Sequence, residues 1–330
     1  MRHHRVVRAR RAGAGAADLV VDQVDVRGVV GAQGGVDVRG VPGREPGAME
    51  CFSGRVLFQE ELIERVREAC AADDGLDAAL MYGSFAAGEA DEHSDIEFWL
   101  FFTPRRRAEI DPRSWCAAVA PITYGLLNEF GTYVAFFPGL VRGEFHFATV
   151  DEIAGVAGWP ARGAAVERMV VVDRSGALAP VLRGLPERYV PPVDSPGIIA
   201  EYCDPFANWL VLAHHLAARG EDLRAWDALG HAQRHLLWMA RLAEESTAHW
   251  LTPSRGAERE LSAGTVAELG AATSPASPRE LIGALRAASA LGRRLWPVIA
   301  GRHGRDAPTS LFAELDAALD RRAAGQGLVG

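Results

Sequence analysis

The chain of 330 residues contains no lysine, so all 35 of its basic side chains are arginine. Schiff-base chemistry, pyridoxal phosphate anchoring and the ammonium of a P-loop are therefore excluded. A GC-rich genome explains the absence more simply than selection on function. Long apolar runs are missing too, and nothing approaches the eighteen residues of a membrane span. Cysteine is scarce: Cys51, Cys70, Cys116 and Cys203 are scattered, with no C-x-x-C and no ligand spacing. That pattern argues against a zinc site or disulfide framework and for reduced thiols in a cytoplasmic protein. A formal net charge of −8 argues against gripping nucleic acid by phosphate neutralisation. What is present, 48% hydrophobic and 24% charged residues, is a globular composition, and the length suits two domains.

Residues 1–48 differ from the rest. They hold no aromatic, one leucine (Leu19), nine glycines and eleven valines, with eight arginines against five acids. No apolar stretch follows the basic start, so a secretory signal is not expected. Without large side chains the segment cannot offset its ordering entropy by burial. It is read as a disordered tail or as upstream sequence brought in by a misassigned start codon, the second being preferred. Neither reading gives it chemistry.

From Met49 onward the texture is ordinary. FQEELIERVREAC (58–70) repeats apolar residues at helical spacing, with acids early and arginines later, and predicts an amphipathic helix. AALMY (78–82), DIEFWLFF (95–102) and MVVVD (169–173) predict strands. TYVAFF (132–137) and GEFHFATV (143–150) flank Pro138-Gly139 and predict a hairpin. Prolines 180, 186, 191, 192 and 196 mark a linker. Beyond it, helices are expected over 198–218, 222–250, 278–299 and 309–323, with breaks at Gly220, Pro253 and Pro275 to Pro278. The class is α+β, a mixed sheet flanked by helices over 49–190 and a helical bundle over 191–330.

The chemistry concentrates in MYGSFAAGEADEHSDIEFW (81–99). A strand runs into Gly83-Ser84, where glycine lets the backbone approach closely and the hydroxyl and N–H groups can hold a phosphate. Asp95 and Glu97 follow, two apart in a strand, so they share a face while Ile96 and Phe98 point to the core. Adjacent carboxylates repel unless a hard cation lies between them, and Mg²⁺ prefers such an oxygen site. An acid-x-acid pair is usually just a solvated strand face. Here it is embedded in IEFWLFF, where burial is otherwise expected.

This arrangement resembles the nucleotidyltransferase superfamily that includes DNA polymerase beta, whose motif is G-S, a gap, then D-x-D or D-x-E. MYGSFAAGEADEHSDIEF, NEFGTYVAFFPGLVRGEFHF (128–147) and the helical region after Ala200 resemble the larger, two-domain lincosamide nucleotidyltransferases, over roughly residues 51–325. The resemblance implies transfer of AMP from ATP, as co-substrate, to a hydroxyl of lincomycin or clindamycin. It implies Gly83 and Ser84 on the nucleotide phosphates, Asp95 and Glu97 on Mg²⁺, and a third carboxylate at Glu144. Strand alternation puts Arg142, Glu144 and His146 on one face, so Glu144 can serve as base or as metal ligand. Arg142 is a candidate phosphate contact and His146 a lesser site candidate.

His231 and His235 in HAQRH lack the glutamate of H-E-x-x-H, so a metal role is not expected. Tryptophans 209, 238, 250 and 296 read as core of the helical domain. An aminoglycoside nucleotidyltransferase is the nearest rival; acids such as Glu201, Asp204, Glu221 and Asp222 do not exclude it. A small antitoxin-like transferase is disfavoured by the long helical half. The expected partners are a small antibiotic and ATP, without nucleic acid or membrane. A homodimer is left open.

Overall fold

The computed structural model describes residues 57–326, so the expectation for residues 1–48 lies outside the described residues. The chain divides into two compact units between Tyr189 and Val190. Among the described residues no helix is long and apolar enough to cross a membrane.

The first unit opens with α1 (Phe58–Ala72), where Leu62, Val66 and Cys70 form a fully buried stripe at four-residue intervals. The Leu57 N–H donates to the Glu60 carboxylate at 2.8 Å, satisfying one orphan donor of the first turn. The chain then enters β1 (Leu76–Tyr82), a one-turn helix α2 (Gly83–Ala87) and β2 (Ile96–Phe102). Two short helices follow, α3 (Pro104–Glu109) and α4 (Pro112–Val119). Each begins with proline behind a capping side chain, Thr103 for α3 and Asp111 for α4. Proline at that position has no N–H to leave unsatisfied.

β3 (Tyr124–Leu127), β4 (Tyr133–Phe136), β5 (Arg142–Thr149), α5 (Val166–Met169), β6 (Val170–Asp173) and α6 (Leu178–Arg183) complete the unit. The strands form one mixed sheet in the order β3-β4-β5-β2-β1-β6. Among the described residues, only the β2–β5 pairing is parallel. The predicted hairpin is present between β4 and β5, and the predicted strands are present in β1, β2 and β6.

One face of the sheet carries Ile96, Phe98, Phe145 and Phe147 toward α4, with Trp115 edge-on to Phe145 and Phe147. The opposite face carries Trp99 against Trp159, which ends a 3₁₀ run at Val150–Gly158. Aromatic residues thus fill both layers. The proline-rich stretch read as a linker begins inside this unit, since Pro180 lies in α6.

The second unit starts with a wide π turn at Ile199–Cys203 that continues into α7 (Asp204–Ala218). Pro205 supplies no N–H for the carbonyl four residues back, which accounts for the widened turn. α8 (Asp222–Ala243), α9 (Ala257–Glu260), α10 (Ala263–Ala271), α11 (Pro278–Arg302) and α12 (Thr309–Gln326) follow. α7 and α11 approach so closely at Gly292 that any Cβ there would overlap the Phe206 ring.

The helix expected over 222–250 ends instead at Ala243. Glu245 turns left-handed (φ 58°), and the Ser246 N–H returns to the Arg241 carbonyl at 3.0 Å. Arg241, with no exposed surface, then gathers the following loop: its guanidinium donates to the carbonyls of Ser246 (2.9 Å), Pro253 (2.7 Å) and Arg255 (2.6 Å) and to Glu260 (2.8 Å). These four acceptors hold residues 246–255 out of helix.

Candidate functional site

The candidate residues meet at one end of β1, β2 and β5. β1 leaves the sheet at Gly83, whose φ of 74° lies in the left-handed region. A Cβ at this position would overlap the Glu97 carboxylate, so only glycine lets the backbone cross over that side chain. Ser84 follows in the first turn of α2, and its carbonyl accepts from the Gly88 and Glu89 N–H groups, both at 2.9 Å.

Asp95 stands immediately before β2, at the end of a loop braced in two ways. The Asp91 carboxylate accepts from the Ser94 hydroxyl at 2.9 Å and from the His93 N–H at 3.0 Å. From α1, the buried Gln59 amide donates to the Glu92 carbonyl at 2.9 Å and to the Ser94 carbonyl at 3.3 Å. Gln59 was not singled out in the sequence. A glutamine on the buried stripe of an otherwise amphipathic helix is the signal that could have found it.

Glu97 lies in register with Tyr82 of β1 and with Glu144 of β5. Because β2 and β5 run parallel, the two glutamates project side by side from the same face. Glu144 is buried, while Asp95 and Glu97 are partly exposed. Arg142, two residues before Glu144 on the same strand face, completes the group. Its guanidinium donates through one terminal nitrogen to Asp95 Oδ2 and through the other to Glu144 Oε1. Partial burial pulls the Arg142 pKa down, but Glu144 and Asp95 outweigh it and raise it above the usual arginine value.

Along the same face a layer of aromatic side chains supports the acids. His146 is stacked on Trp99 with ring centroids 4.1 Å apart, in the next register pair on the face of Glu97–Glu144. The Tyr82 hydroxyl lies 3.1 Å from His146 Nε2, and Thr132 Oγ1 lies 3.4 Å from Nδ1. Burial lowers the His146 pKa to about 3, so the ring is neutral at ordinary pH. Burial, then Glu97 and Glu144, push the Tyr82 hydroxyl well above its usual range. Tyr82 therefore stays protonated and hydrogen-bonds the neutral imidazole. His146 belongs to this supporting layer and is not an open site residue. Tyr82 and Trp99 were missed in the sequence, although 95, 97 and 99 share strand parity.

The three carboxylates offer the hard oxygen donors that a divalent cation prefers. Among the described residues, however, no group of three His, Cys, Asp or Glu side chains is arranged to hold a metal ion. The cation seated between Asp95 and Glu144 in this structure is Arg142 itself. By donor chemistry the residues fit the group; by arrangement the guanidinium stands across two of them.

In the second unit, Trp209 stacks on His231 at 4.2 Å and Trp250 Nε1 donates to the Tyr202 hydroxyl at 3.3 Å. Of the four tryptophans expected in the core, Trp250 and Trp296 are buried, whereas Trp209 and Trp238 are only half-buried.

The comparison with curated proteins found no match. Two solved structures show a likeness. One is an aminoglycoside 6-adenyltransferase from Bacillus subtilis, with 13% identity, 80% of this chain and 95% of that one covered, and a TM-score of 0.35. The other is a nucleotidyltransferase-like protein from Exiguobacterium sibiricum 255-15, with 11% identity, 80% and 89% covered, and a TM-score of 0.34. Scores of that size carry no argument about function. The informative match is to a family model: residues 199–317 fit the one described as lincosamide nucleotidyltransferase-like, C-terminal domain. By that match the helical residues 199–317 are similar to the C-terminal domain of lincosamide nucleotidyltransferase-like proteins.

Proposed function

We propose that the protein inactivates a lincosamide, lincomycin or clindamycin, by moving AMP from ATP to a drug hydroxyl with Mg²⁺. The observation that carries this reading is the register pair Glu97–Glu144 on parallel neighbouring strands, with Asp95 and the Gly83-Ser84 turn at the same end of the sheet. Asp95, Glu97 and Glu144 would hold the cation, which when bound supplies charge neutralisation for the triphosphate. The Gly83 turn and Ser84 contact phosphate oxygens, and Arg142 offers its planar fork to the same group. Glu144 takes the proton of the attacking hydroxyl, which is a poor nucleophile at neutral pH. Its burial keeps that carboxylate out of competition with bulk water, and Tyr82 with His146 fixes the strand face from which it projects.

The drug is assigned to the helical unit because its residues match the C-terminal family model. The test is incubation of purified protein with Mg²⁺, ATP and a panel of lincosamides and aminoglycosides, read by mass spectrometry. One added AMP on clindamycin, with release of pyrophosphate, is expected. Modification of an aminoglycoside alone would replace the substrate assignment. A product carrying only phosphate would refute nucleotidyl transfer.

A further inference from the structure

The cluster of Asp95, Glu97 and Glu144 holds a surplus of carboxylates and a single guanidinium, and that guanidinium is not locked in. Among the described residues, Asp95 and Glu144 are the hydrogen-bond partners of Arg142. Its side chain keeps 31% of its surface exposed, and Asp95 keeps 34%. An arginine fork fits two carboxylates and fits a phosphate equally well. A divalent cation needs the same oxygen lone pairs that the fork now occupies.

We propose that Arg142 is an exchangeable internal counter-ion. Without nucleotide it seats itself between Asp95 and Glu144 and neutralises them. When a nucleoside triphosphate arrives with its divalent cation, the carboxylates pass to the cation and the guanidinium turns to a phosphate. One residue thereby couples cation loading to phosphate recognition: the bare cation must displace Arg142 unaided, whereas the nucleotide offers the displaced guanidinium a new partner. This inference rests on the cation-dependent transfer proposed above and adds to it a residue that opposes loading in the absence of nucleotide.

The test measures Mn²⁺ binding to the full chain in the absence of nucleotide, by electron paramagnetic resonance of the free ion. Wild type, Arg142→Met and Arg142→Lys are compared, and thermal melts of each serve as the folding check. Arg142→Met, which removes the competitor, is expected to bind Mn²⁺ about fivefold more tightly, the scale of one partly exposed ion pair released. Arg142→Lys keeps the charge and loses the two-pronged bridge, so its affinity should fall between the other two. A lysine variant identical to wild type would mean that charge alone weakens binding, and would overturn the seating. Equal or weaker binding by Arg142→Met overturns the exchange while leaving a cation site in place. No Mn²⁺ binding by any of the three proteins would instead remove the cation reading on which this inference stands. Should the methionine variant fail to fold, Arg142→Lys decides by itself: affinity at or below that of wild type refutes the exchange.

Discussion

Arg142 in the sheet unit and Arg241 in the helical unit each meet a carboxylate, yet their surroundings differ in every other respect. Arg241 has no exposed surface and directs its donors to three backbone carbonyls, the Ser246 hydroxyl and Glu260. Its charge is matched by one acid, and its remaining donors are spent on the loop that ends α8. Arg142 is partly exposed and shares a strand face with acids that outnumber it. A satisfied network in low dielectric rigidifies its surroundings. A cluster with excess charge of one sign is held below its best arrangement until another cation joins it. Arg241 is built to stay; on the exchange proposed above, Arg142 is the one that yields. Partner inventory, more than burial or ion-pair length, separates the structural charge of Arg241 from the role proposed for Arg142.

The largest effect should come from removing charge at the surplus-acid cluster. Asp95→Asn and Glu97→Gln are each expected to abolish transfer while leaving circular dichroism unchanged, because replacing one of several clustered acids relieves repulsion. Glu144→Gln should lower kcat by about 10²–10⁴, the usual worth of a positioned base. A near-wild-type rate in either of the first two variants would remove the cation assignment. A parent rate in Glu144→Gln would leave that residue without a role.

Arg241→Met makes the opposite kind of break. It leaves Glu260 and several loop carbonyls without their donor, and removing one partner of a buried pair costs about 3–5 kcal/mol. Urea unfolding followed by tryptophan fluorescence reads the loss, since the Trp238 indole donates to the Trp250 carbonyl within the same loop. A loss below about 1 kcal/mol would place Arg241 with ordinary surface ion pairs and erase the contrast with Arg142.

Much of the sheet unit was legible in the sequence, and the reason lies in strand parity. The run Asp95, Ile96, Glu97, Phe98, Trp99 alternates so cleanly that its two faces could be assigned without coordinates, and Ile96 and Phe98 are fully buried as that alternation requires. β3 was not legible. Tyr124 and Leu127 lie exposed on an edge strand, so no alternation marks them. The bridge from Arg142 to Asp95 spans 47 positions of sequence and depends on β2 and β5 being parallel neighbours, which no local pattern states. In the helical unit the periodicity located α7, α11 and α12 but carried α8 too far. Residues 244–250 keep helical composition, and only the side chain of Arg241, reaching back over the loop, overrules it. Local propensity fails where a tertiary contact supplies the larger free energy.

A smaller effect, still in the sheet unit, is expected from Gly83→Ala. A left-handed φ at a residue with a Cβ costs about 1–3 kcal/mol, and here the added methyl also meets the Glu97 carboxylate. Stability should therefore drop modestly and transfer steeply, because Glu97 must move. A variant that lost stability without losing rate would show that Glu97 can leave its present position harmlessly.

The smallest effect is a pH slope, and it belongs to the helical unit. Burial, assisted by Arg234 and His231, lowers the His235 pKa from the ordinary histidine 6.5 to about 4, with a hydrogen bond to the Tyr202 backbone working the other way. Between those two values the unfolded chain holds a proton at this position that the folded chain does not. Stability must then fall as pH drops through that window and level off below about pH 4, at a limiting slope of about 1.4 kcal/mol per pH unit. His235→Phe removes the site, so wild type and variant should differ most above pH 7 and converge as the solution is acidified to pH 5. His146 in the sheet unit, lowered to about 3, and His214 in the helical unit carry shifts of the same sign, so the wild-type slope sums all three and only the difference between the two proteins isolates His235. Urea midpoints at pH 5, 6, 7 and 8 suffice to read it. A constant gap between the two proteins across that series would mean that His235 titrates in the folded chain as it does in the unfolded one, and that its packing among Tyr202 and Trp238 does not exclude the proton.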